Sequence, residues 1–581
     1  SPADSPTGML SADATQGTLT NGYAVGLYSR AGLTNGLGSG LTVSVVGNFT
    51  DAVGSSVNAF QGATGVAFVG GASSLIDPGS IASTITVSAE TGRAMGLFLE
   101  YANFGADSVI SGKIDVISQG AQDNNHAYGI YAARAGTNVG SFTGTLSVTA
   151  SNLLAYGISL NTSASMTDIS GSVMAYAGST IAYGLFLNGT STLGSISQTG
   201  DILAIATAAS AYGGRVNNSS IDNLAGTVRA QSQTSDAFGL YIIGSTLGGV
   251  ASTASVSAMS TNAGAYAFMA TNSTLGDVAG RFGAVGRTAV QGMRLHALKG
   301  TPANILSEAR ISATSTAGIA TALSMSASEL GSVNGSLSGT SFGGVGYGLF
   351  ATNSSTISTL GATINALSST SYAIGLQVHG SKIGAISDLA SISAVSSASG
   401  GSAYAYAVSA LAGADIGTIS GHLYAQNIRK ASALNIAAGA SVGDILATAR
   451  LTATASTDSS AITMSGGALG NVGGALTSTG SAGRGYGIFA TNSAVIGNIL
   501  DTATISGYSE NENSYGIYLN GSASMGYFAG NIVSTTSALN STAYGLTLMG
   551  GNTMTTFSGK IRTEGYYSAA GYQVLGGSTA G

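Results

Sequence analysis

Apolar and polar residues alternate in short runs along this chain, and the runs return with a period of about 28 residues. The copy from Ala182 to Ala204 reads A-Y-G-L-F-L-N-G-T-S-T-L-G-S-I-S-Q-T-G-D-I-L-A. Its first landmark is a Tyr-Gly-apolar-x-apolar run, and its second is an apolar-Gly-x-apolar step about nine residues later. Alternation is the period of a strand and not of a helix. The pattern therefore predicts short strands that recur in every copy.

The two landmarks keep in step along the chain. The first is clearest at Tyr128-Gly129, Tyr156-Gly157, Tyr183-Gly184, Tyr212-Gly213, Phe238-Gly239, Tyr347-Gly348, Tyr486-Gly487, Tyr515-Gly516 and Tyr544-Gly545. The second follows it, for example at Leu193-Gly194, Leu275-Gly276, Ile383-Gly384, Val442-Gly443 and Ile496-Gly497. Two landmarks in phase are much harder to obtain by chance than one. A repeat of this length indicates stacked supersecondary units.

The alternation within a copy also predicts which side chains point inward. We expect Tyr183, Leu185 and Leu187 to share the inner face of a strand, with Gly184 and Phe186 on the outer face. Asn188-Gly189 then marks a turn, because both residues accept a positive φ. Long helices are excluded by the 88 glycines, since each costs about 1 kcal/mol in a helix interior relative to Ala.

These features predict an all-β fold, a single parallel β-solenoid of about 20 coils with about 28 residues and three short strands per coil. Such repeats cannot bury a face alone, so they stack about 4.8 Å apart. Handedness is left open. We expect an extended N-terminal arm over residues 1–22, the solenoid over 23–576 and a C-terminal tail over 577–581. The arm contains Pro2 and Pro6 and is expected to be a mature N-terminus left after signal removal.

The amino-acid composition limits which partners and which cellular location we expect for the protein. Only 7% of residues are charged, the net charge is −6, and the 18 Lys and Arg residues are scattered, so we expect no nucleic-acid partner. No uninterrupted apolar stretch reaches the roughly 18 residues that a membrane helix needs, so we expect no membrane span. Cys is absent, which is compatible with export. We therefore predict a secreted or cell-surface protein.

At the residues quoted above, the chain resembles the β-solenoid surface proteins of bacteria, in particular autotransporter passenger domains and related adhesins. Those families are rich in Gly, Ser, Thr and Asn, poor in Cys, and built from stacked coils. The resemblance covers residues 24–576 and lies in architecture and composition. It implies a secreted rod, and it carries no motif that fixes a binding partner.

Catalytic and metal sites need clustered side chains, and we expect none here. Four acidic residues fall near the second landmark but are separated by coils without one, namely Asp168, Asp222, Asp277 and Asp444. Four histidines occupy different phases of the repeat, namely His126, His296, His379 and His422. Coils bring only neighbours together, so a shared site is not expected. The polar turns 123–126 and 510–513 are interpreted as solvated loops. We thus expect no enzyme, no cofactor and no bound metal.

One column of residues stands out as a candidate contact surface. The residue two after each landmark Gly should point outward, and this column includes eight aromatic residues, namely Tyr28, Phe98, Tyr131, Phe186, Tyr241, Phe350, Phe489 and Tyr518. An exposed apolar stripe on a rod indicates a contact surface. The alternative is that the rings cover neighbouring outward glycines and shield the strand backbone.

Two functions follow from these observations. The first is an extracellular structural rod that associates end to end with copies of itself into a fibre or surface layer, since the repeat shows no helical cap at either end. The second is an adhesin that binds surface glycans with the aromatic stripe as a stacking platform. An ice-binding solenoid is disfavoured because the chain has no regular Thr-x-Thr face.

Overall fold

The computed structural model describes residues 8–20, 23–31, 33, 36–50, 62–105, 107–119, 126–400 and 403–580. All regular structure in these ranges is β-strand, without a helix. Equivalent strands recur about every 28 residues and pair in parallel with the copy before and the copy after. The predicted all-β parallel solenoid is confirmed.

The chain divides into two compact units. Unit 1 comprises Ser1–Arg287 and Leu298–Thr301, and unit 2 comprises Thr288–Ala297 and Pro302–Gly581. Each unit contains three parallel sheets. The Tyr-Gly sheet carries the first landmark, the narrow sheet carries the second, and the alanine sheet carries the x-apolar-x-Ala run that ends each copy.

The strands of unit 1 follow this division. Its Tyr-Gly sheet contains Tyr23–Ser29, Gly62–Val69, Ala94–Glu100, Ala127–Ala133, Ala155–Asn161, Ala182–Asn188, Ala211–Asn217, Ala237–Ile243 and Ala265–Thr271. Its narrow sheet contains Val109–Ile110, Ser141–Phe142, Ser165–Ile169, Thr192–Ile196, Ser220–Leu224, Thr246–Leu247 and Thr274–Leu275. Its alanine sheet contains Gly8–Thr20, Leu41–Thr50, Thr84–Thr91, Lys113–Ser118, Thr145–Ala150, Ser172–Ala177, Asp201–Ala206, Thr227–Ser232, Ser255–Ser260 and Arg281–Gly286.

Unit 2 repeats the arrangement. Its Tyr-Gly sheet contains Val290–His296, Ala320–Ser326, Gly346–Thr352, Ala373–His379, Tyr404–Ala410, Lys430–Ala437, Ser459–Ser465, Gly485–Thr491, Ser514–Asn520, Thr542–Met549 and Ser568–Leu575. Its narrow sheet contains Ala303–Ile305, Glu329–Val333, Thr356–Leu360, Lys382–Ile386, Asp415–Ile419, Ser441–Val442, Ala468–Leu469, Val495–Ile496, Ser524–Phe528, Thr553–Phe557 and Thr579–Ala580. Its alanine sheet contains Arg310–Ser315, Ser336–Ser341, Thr363–Ser368, Ser391–Ser396, His422–Asn427, Arg450–Ala455, Ala475–Gly480, Thr504–Ser509, Asn531–Thr536 and Lys560–Gly565.

The core of each unit is a set of apolar ladders inside the coils. Leu187 pairs in register with Leu160 of the preceding coil, and both side chains are fully buried. Ile202 and Ala204 face them from the alanine sheet and are also fully buried. Because the register does not slip between these coils, every inward position stacks on the same position of the neighbouring copy, and the apolar side chains form continuous ladders.

The alternation changes phase at the landmark glycine, and the predicted faces of Tyr183 and Gly184 were both wrong. Gly184 and Leu185 both face the interior, so Tyr183 lies on the outer face together with Phe186. A Cβ on Gly184 would lie 2.5 Å from Ile202 Cγ2 and 2.7 Å from the Gly213 carbonyl oxygen. Only glycine fits this close approach, and two consecutive inward residues reverse the alternation.

The turn after most Tyr-Gly strands uses left-handed backbone, as predicted from the sequence of Asn188-Gly189. Gly189 in this turn has a φ of 67°, and Gly521, at the equivalent position of a coil in unit 2, has a φ of 68°. These residues reverse the chain into the narrow sheet without the steric cost that a Cβ would impose.

The two ends of the chain are placed as follows. Residues 8–20 of the expected N-terminal arm form a strand that pairs in parallel with Leu41–Thr50, and residues 1–7 and 21–22 lie outside the described residues. Within the expected C-terminal tail, Thr579–Ala580 pairs with Thr553–Phe557. Strand pairing thus extends into both segments, because their backbone groups continue the ladders of the adjacent coils.

Candidate functional site

The outer face of the Tyr-Gly sheet carries two columns of side chains in each unit. The tyrosine column holds the residue before each landmark glycine, such as Tyr183. The second column holds the residue two after that glycine, such as Phe186, and it is the stripe predicted from the sequence. The two columns touch, since the ring centres of Tyr183 and Phe186 are 5.3 Å apart.

The eight predicted stripe residues differ in exposure. Tyr28 is 44% exposed, whereas Phe98 is only 2% exposed, in contrast to the expected outward contact position. Phe98 is covered because its ring stacks on Tyr131 with centres 5.6 Å apart. The others are half-buried, namely Tyr131, Phe186, Tyr241, Phe350, Phe489 and Tyr518.

In unit 1 the tyrosine column forms a continuous stack. Neighbouring ring centres are 4.7 to 5.1 Å apart and nearly parallel through Tyr128, Tyr156, Tyr183, Tyr212, Phe238 and Tyr266. Burial raises the pKa of Tyr128 to about 12, although the charge of Arg93 opposes this shift. The rings cover one another, because the landmark glycines face inward and offer them no outward backbone. Each inner ring of this stack is covered on both faces by its neighbours, so no ring face between them is open to a ligand.

In unit 2 the tyrosine column is interrupted. Tyr406 pairs in register with Ser432, Ser432 with Ser460, and Ser460 with Tyr486. Two consecutive rungs therefore carry a serine in place of a ring. The stack resumes beyond them, since the ring centres of Tyr486 and Tyr515 are 5.0 Å apart and nearly parallel.

A groove with a cavity volume of about 640 Å³ runs along this part of the sheet. Its residues come from consecutive coils of unit 2, and they include aromatic, hydroxyl, amide and charged side chains. They are Tyr404, Tyr406, Lys430, Ala431, Ser432, Asp458, Ser460, Thr463, Arg484, Tyr486, Phe489, Tyr515, Tyr518, Asn520, Tyr544, Thr547, Met549, Gln573 and Leu575. A cavity of this size suits a small ligand or a short segment of a polymer.

Aromatic rings form the walls of the groove. On one side, the Tyr406 ring lies parallel to Tyr404, with ring centres 5.7 Å apart. On the other side, Tyr486 contacts Phe489, and Phe489 stacks on Tyr518 with centres 5.6 Å apart. Both predicted stripe residues of this region, Phe489 and Tyr518, thus contribute to the groove.

Polar side chains form the floor between these walls. The Ser432 hydroxyl donates a hydrogen bond to the Leu434 carbonyl oxygen at 2.9 Å. In the second column, Thr463 lines the groove and is in register with Asn435 of the preceding coil. The Asn435 amide donates to the Ser409 hydroxyl at 3.2 Å. The floor is therefore lined with hydroxyl and amide groups that both donate and accept.

Charged residues of alternating sign border one side of the groove. Lys430 Nζ lies 3.6 Å from Asp458 Oδ2, and both side chains are more than one-third exposed. Lys430 Nζ also lies 5.8 Å from the centre of the Tyr404 ring, within the range of a cation–π contact. Arg484 Nη1 donates to the Tyr486 hydroxyl at 3.4 Å. The charged lining thus contains two cations and one carboxylate.

Tyr406 and Tyr486, on the two sides of the groove, have raised pKa values. Burial raises the pKa of Tyr486 to about 12, and the hydrogen bond from Arg484 partly opposes that shift. Burial also raises the pKa of Tyr406, with a further contribution from Tyr404. Tyr406 and Tyr486 are therefore uncharged near neutral pH, and the charged side chains of the groove are Lys430, Asp458 and Arg484.

Two of the acidic residues near the second landmark, Asp168 and Asp444, accept hydrogen bonds from neighbouring coils. Asp168 accepts hydrogen bonds from the hydroxyls of Ser195 and Ser197, the latter at 2.5 Å. Asp444 accepts from the Asn471 backbone N–H at 2.7 Å. Within the described ranges, no group of three or more His, Cys, Asp or Glu side chains is placed to hold a metal ion. The described part of the chain also contains no helix with the length and hydrophobicity needed to cross a membrane.

The two polar turns are only partly described. Residues 123–125 of the first lie outside the described residues, and His126 packs edge-on against Tyr128 with ring centres 6.0 Å apart. In the second turn, Asn511 donates to the Ser481 carbonyl oxygen at 2.6 Å, and Asn513 accepts from the Thr542 backbone N–H at 2.8 Å. The amides of the second turn thus tie it to adjacent coils.

Sequence reasoning predicted an aromatic stripe, two residues of which line the groove, but it missed the groove itself. The signal was present, since the segments Ala431–Leu434 and Ser459–Ile462 lack the Tyr-Gly landmark that surrounds them. Neither a protein-family model, nor a curated protein, nor a solved structure matches this chain. A β-solenoid supports many functions, so a functional assignment depends on the groove itself.

Proposed function

We propose that this protein is a secreted or cell-surface β-solenoid that binds glycans in the aromatic groove of unit 2. The observation that supports this proposal is the combination of aromatic walls and a hydroxyl- and amide-lined floor in one cavity of about 640 Å³. A binding function of the adhesin type is thereby favoured over a purely structural one.

The chemistry of the groove matches that of a sugar chain. A pyranose ring has an apolar C–H face, which packs on an aromatic ring, and a rim of hydroxyls, which needs hydrogen-bond partners. Phe489 and Tyr518 supply ring surface that is half-buried and held in place by mutual stacking. Thr463 and Asn520 supply polar groups beside these rings. Rings held in advance lose little entropy when a ligand binds.

The shape of the site favours a polymer over a compact ligand. The groove includes residues from Tyr404 to Leu575, which belong to successive strands of one parallel sheet. Parallel strands are about 4.8 Å apart, so the same kinds of side chain are offered repeatedly along one direction. A glycan chain, which repeats its own rings, is the natural partner of such a surface.

Binding measurements on a panel of soluble polysaccharides test the proposal. Affinity electrophoresis or calorimetry should show binding of at least one polymer to the full chain. The double variant Phe489→Ala and Tyr518→Ala should weaken that binding at least tenfold. The matched control is Tyr424→Ala, an exposed tyrosine on the alanine sheet of the same unit, which should bind as the parent chain does. The proposal fails if no polysaccharide binds, or if the control loses as much affinity as the double variant.

A second proposed function is self-association of the chain into fibres or a surface layer. Val574 occupies the same inward ladder as Leu548, yet it is 39% exposed whereas Leu548 is fully buried. Tyr566 and Tyr567 of the same coil are 73% and 72% exposed. A second copy of this chain that paired with the strand Ser568–Leu575 would bury these apolar side chains and extend the sheet.

A further inference from the structure

The interruption of the tyrosine column in unit 2 has a defined size. Tyr406 and Tyr486 are separated by three steps between paired strands, with Ser432 and Ser460 on the rungs between them. Each step is about 4.8 Å, so the two ring positions are about 14 Å apart. The gap therefore has room for two further rings at the spacing that the stacked tyrosines themselves show.

The rings on both sides of the gap present their faces to it. Tyr515 stacks on Tyr486 from the far side, with ring planes 10° apart, and Tyr544 continues that stack with planes 9° apart. On the near side, Tyr404 stacks across coils on Tyr372 and lies parallel to Tyr406. Stacked rings have their planes across the direction of stacking, so the last ring of each stack turns one face toward the gap.

The charges beside the gap favour an anionic ligand. Lys430 begins the strand that carries Ser432, and Asp458 and Arg484 immediately precede the strands that carry Ser460 and Tyr486. Lys430 and Asp458 partly neutralise each other, since their charged atoms are 3.6 Å apart. Arg484 instead contacts the neutral Tyr486 hydroxyl through its side chain and Asp458 through its backbone N–H. The guanidinium therefore leaves a net positive charge at the downstream end of the gap, where a carboxylate can form a bidentate pair with it.

We propose that this gap is a subsite for an acidic glycan, namely two adjoining pyranose rings of which at least one is a uronic acid. The two sugar rings take the places of the two missing tyrosines, with the outer face of one on Tyr406 and that of the other on Tyr486. Their hydroxyls meet Ser460 and Thr463, and the carboxylate pairs with Arg484. This assignment rests on the proposed glycan-binding function and narrows it to a class of ligand.

The first test compares two forms of one polymer. Calorimetry with polygalacturonate and with its fully methyl-esterified form separates recognition of charge from recognition of the sugar ring. We expect the parent chain to bind the acidic polymer at least tenfold more tightly, and we expect that preference to weaken as salt is raised. Equal binding of the two forms overturns the acidic assignment while leaving glycan binding intact. Binding of neither polymer overturns it as well, and the polysaccharide panel then decides the broader function separately.

Two variants locate the binding in the gap. Arg484→Gln should abolish the preference for the acidic polymer, whereas Arg450→Gln, an exposed arginine on the alanine sheet of unit 2, should keep it. Ser460→Tyr should fill one of the two empty ring positions with a protein ring and reduce binding at least tenfold. A thermal melt of Ser460→Tyr at or above that of the parent chain shows that the variant is folded. Unchanged binding by Ser460→Tyr, or an equal effect of the two arginine variants, overturns the subsite.

Discussion

Tyr183 and Phe186 contact each other on the outside of one strand, with ring centres 5.3 Å apart, although residues three apart in an uninterrupted strand point to opposite faces. Gly184 between them is responsible, because it and Leu185 both face the interior. This reversal places both aromatic columns on one surface. Without it, one column would compete with leucines for space inside the coil.

The reversal makes Gly184 sensitive to any side chain. We expect Gly184→Ala to destabilise unit 1 by about 1 to 3 kcal/mol, because the added Cβ would lie 2.5 Å from Ile202 Cγ2 and 2.7 Å from a backbone oxygen. Thermal or chemical unfolding measures the change. The control is Gly249→Ala in the same unit, since a Cβ there would meet no atom within 4 Å. Equal melting of the two variants would show that the backbone relaxes at Gly184.

We expect substitutions at Leu185 and at the next residue, Phe186, to differ strongly in their effect on stability. Leu185→Asp should cost several kcal/mol because Leu185 is fully buried and the coil offers its carboxylate no partner. Phe186→Ser should cost about 1.5 kcal/mol or less, the order of one aromatic contact, because that ring lies on the outer face. Leu185→Met serves as the volume-conserving control. Unfolding curves that place Phe186→Ser below Leu185→Asp in stability contradict the assigned faces.

We expect unit 1 to lose stability in acid because of the buried imidazole of His126. Burial, and then the charge of Arg93, lowers the pKa of His126 from 6.5 to about 4. The unfolded chain therefore binds more protons than the folded chain between these values, so the free energy of unfolding falls as the pH drops through that window. Above pH 6.5 the histidine is neutral in both the folded and the unfolded chain, so it no longer lowers the free energy of unfolding.

Unfolding curves of the parent chain and of His126→Gln over this pH range provide the measurement. The variant should lose less stability on acidification than the parent, because the glutamine does not titrate and still fits between Tyr128 and Tyr156. Carboxylates elsewhere act equally in both proteins. Parallel pH profiles of the two chains would show that His126 is not responsible.

Self-association predicts a dependence of particle mass on concentration. Static light scattering of the parent chain should show a mass that rises with concentration. Val574→Lys should suppress the rise, because it places a charge in the apolar contact that the second copy would make. Leu389→Lys is the control, since Leu389 is 75% exposed in another part of unit 2. A parent chain that stays monomeric at high concentration removes the polymer function and leaves glycan binding untouched.

Much of the fold was predictable from the period of the two landmarks. Repetition places Leu160 beside Leu187 and fixes the parallel register without knowledge of any single contact. The facing of Tyr183 was not predictable from alternation, because the reversal depends on how closely the Gly184 backbone approaches Ile202 and Gly213 in space. A periodic pattern shows which residues recur, but it does not show where the backbone lies so close to a neighbouring coil that only glycine fits.

The candidate site was predictable only in part, for a related reason. The column that contains Phe489 and Tyr518 follows from counting, whereas the groove depends on two coils in which the landmark fails. Ser432 and Ser460 carry meaning only because the structure stacks them directly between Tyr406 and Tyr486. An ordinary serine in a serine-rich chain gives no such signal alone. Only the register between strands shows that the two coils without the motif lie next to each other, between two tyrosines.

The long tyrosine stack of unit 1 also gives the protein an intrinsic optical probe. The chain contains no Trp, so its near-ultraviolet absorption and circular dichroism come chiefly from its 25 tyrosines. Rings held nearly parallel about 5 Å apart, as Tyr156 and Tyr183 are, couple their electronic transitions and lose that coupling when coils separate. Fraying of the coils is therefore visible in the near-ultraviolet dichroism of the unlabelled chain, without any attached dye.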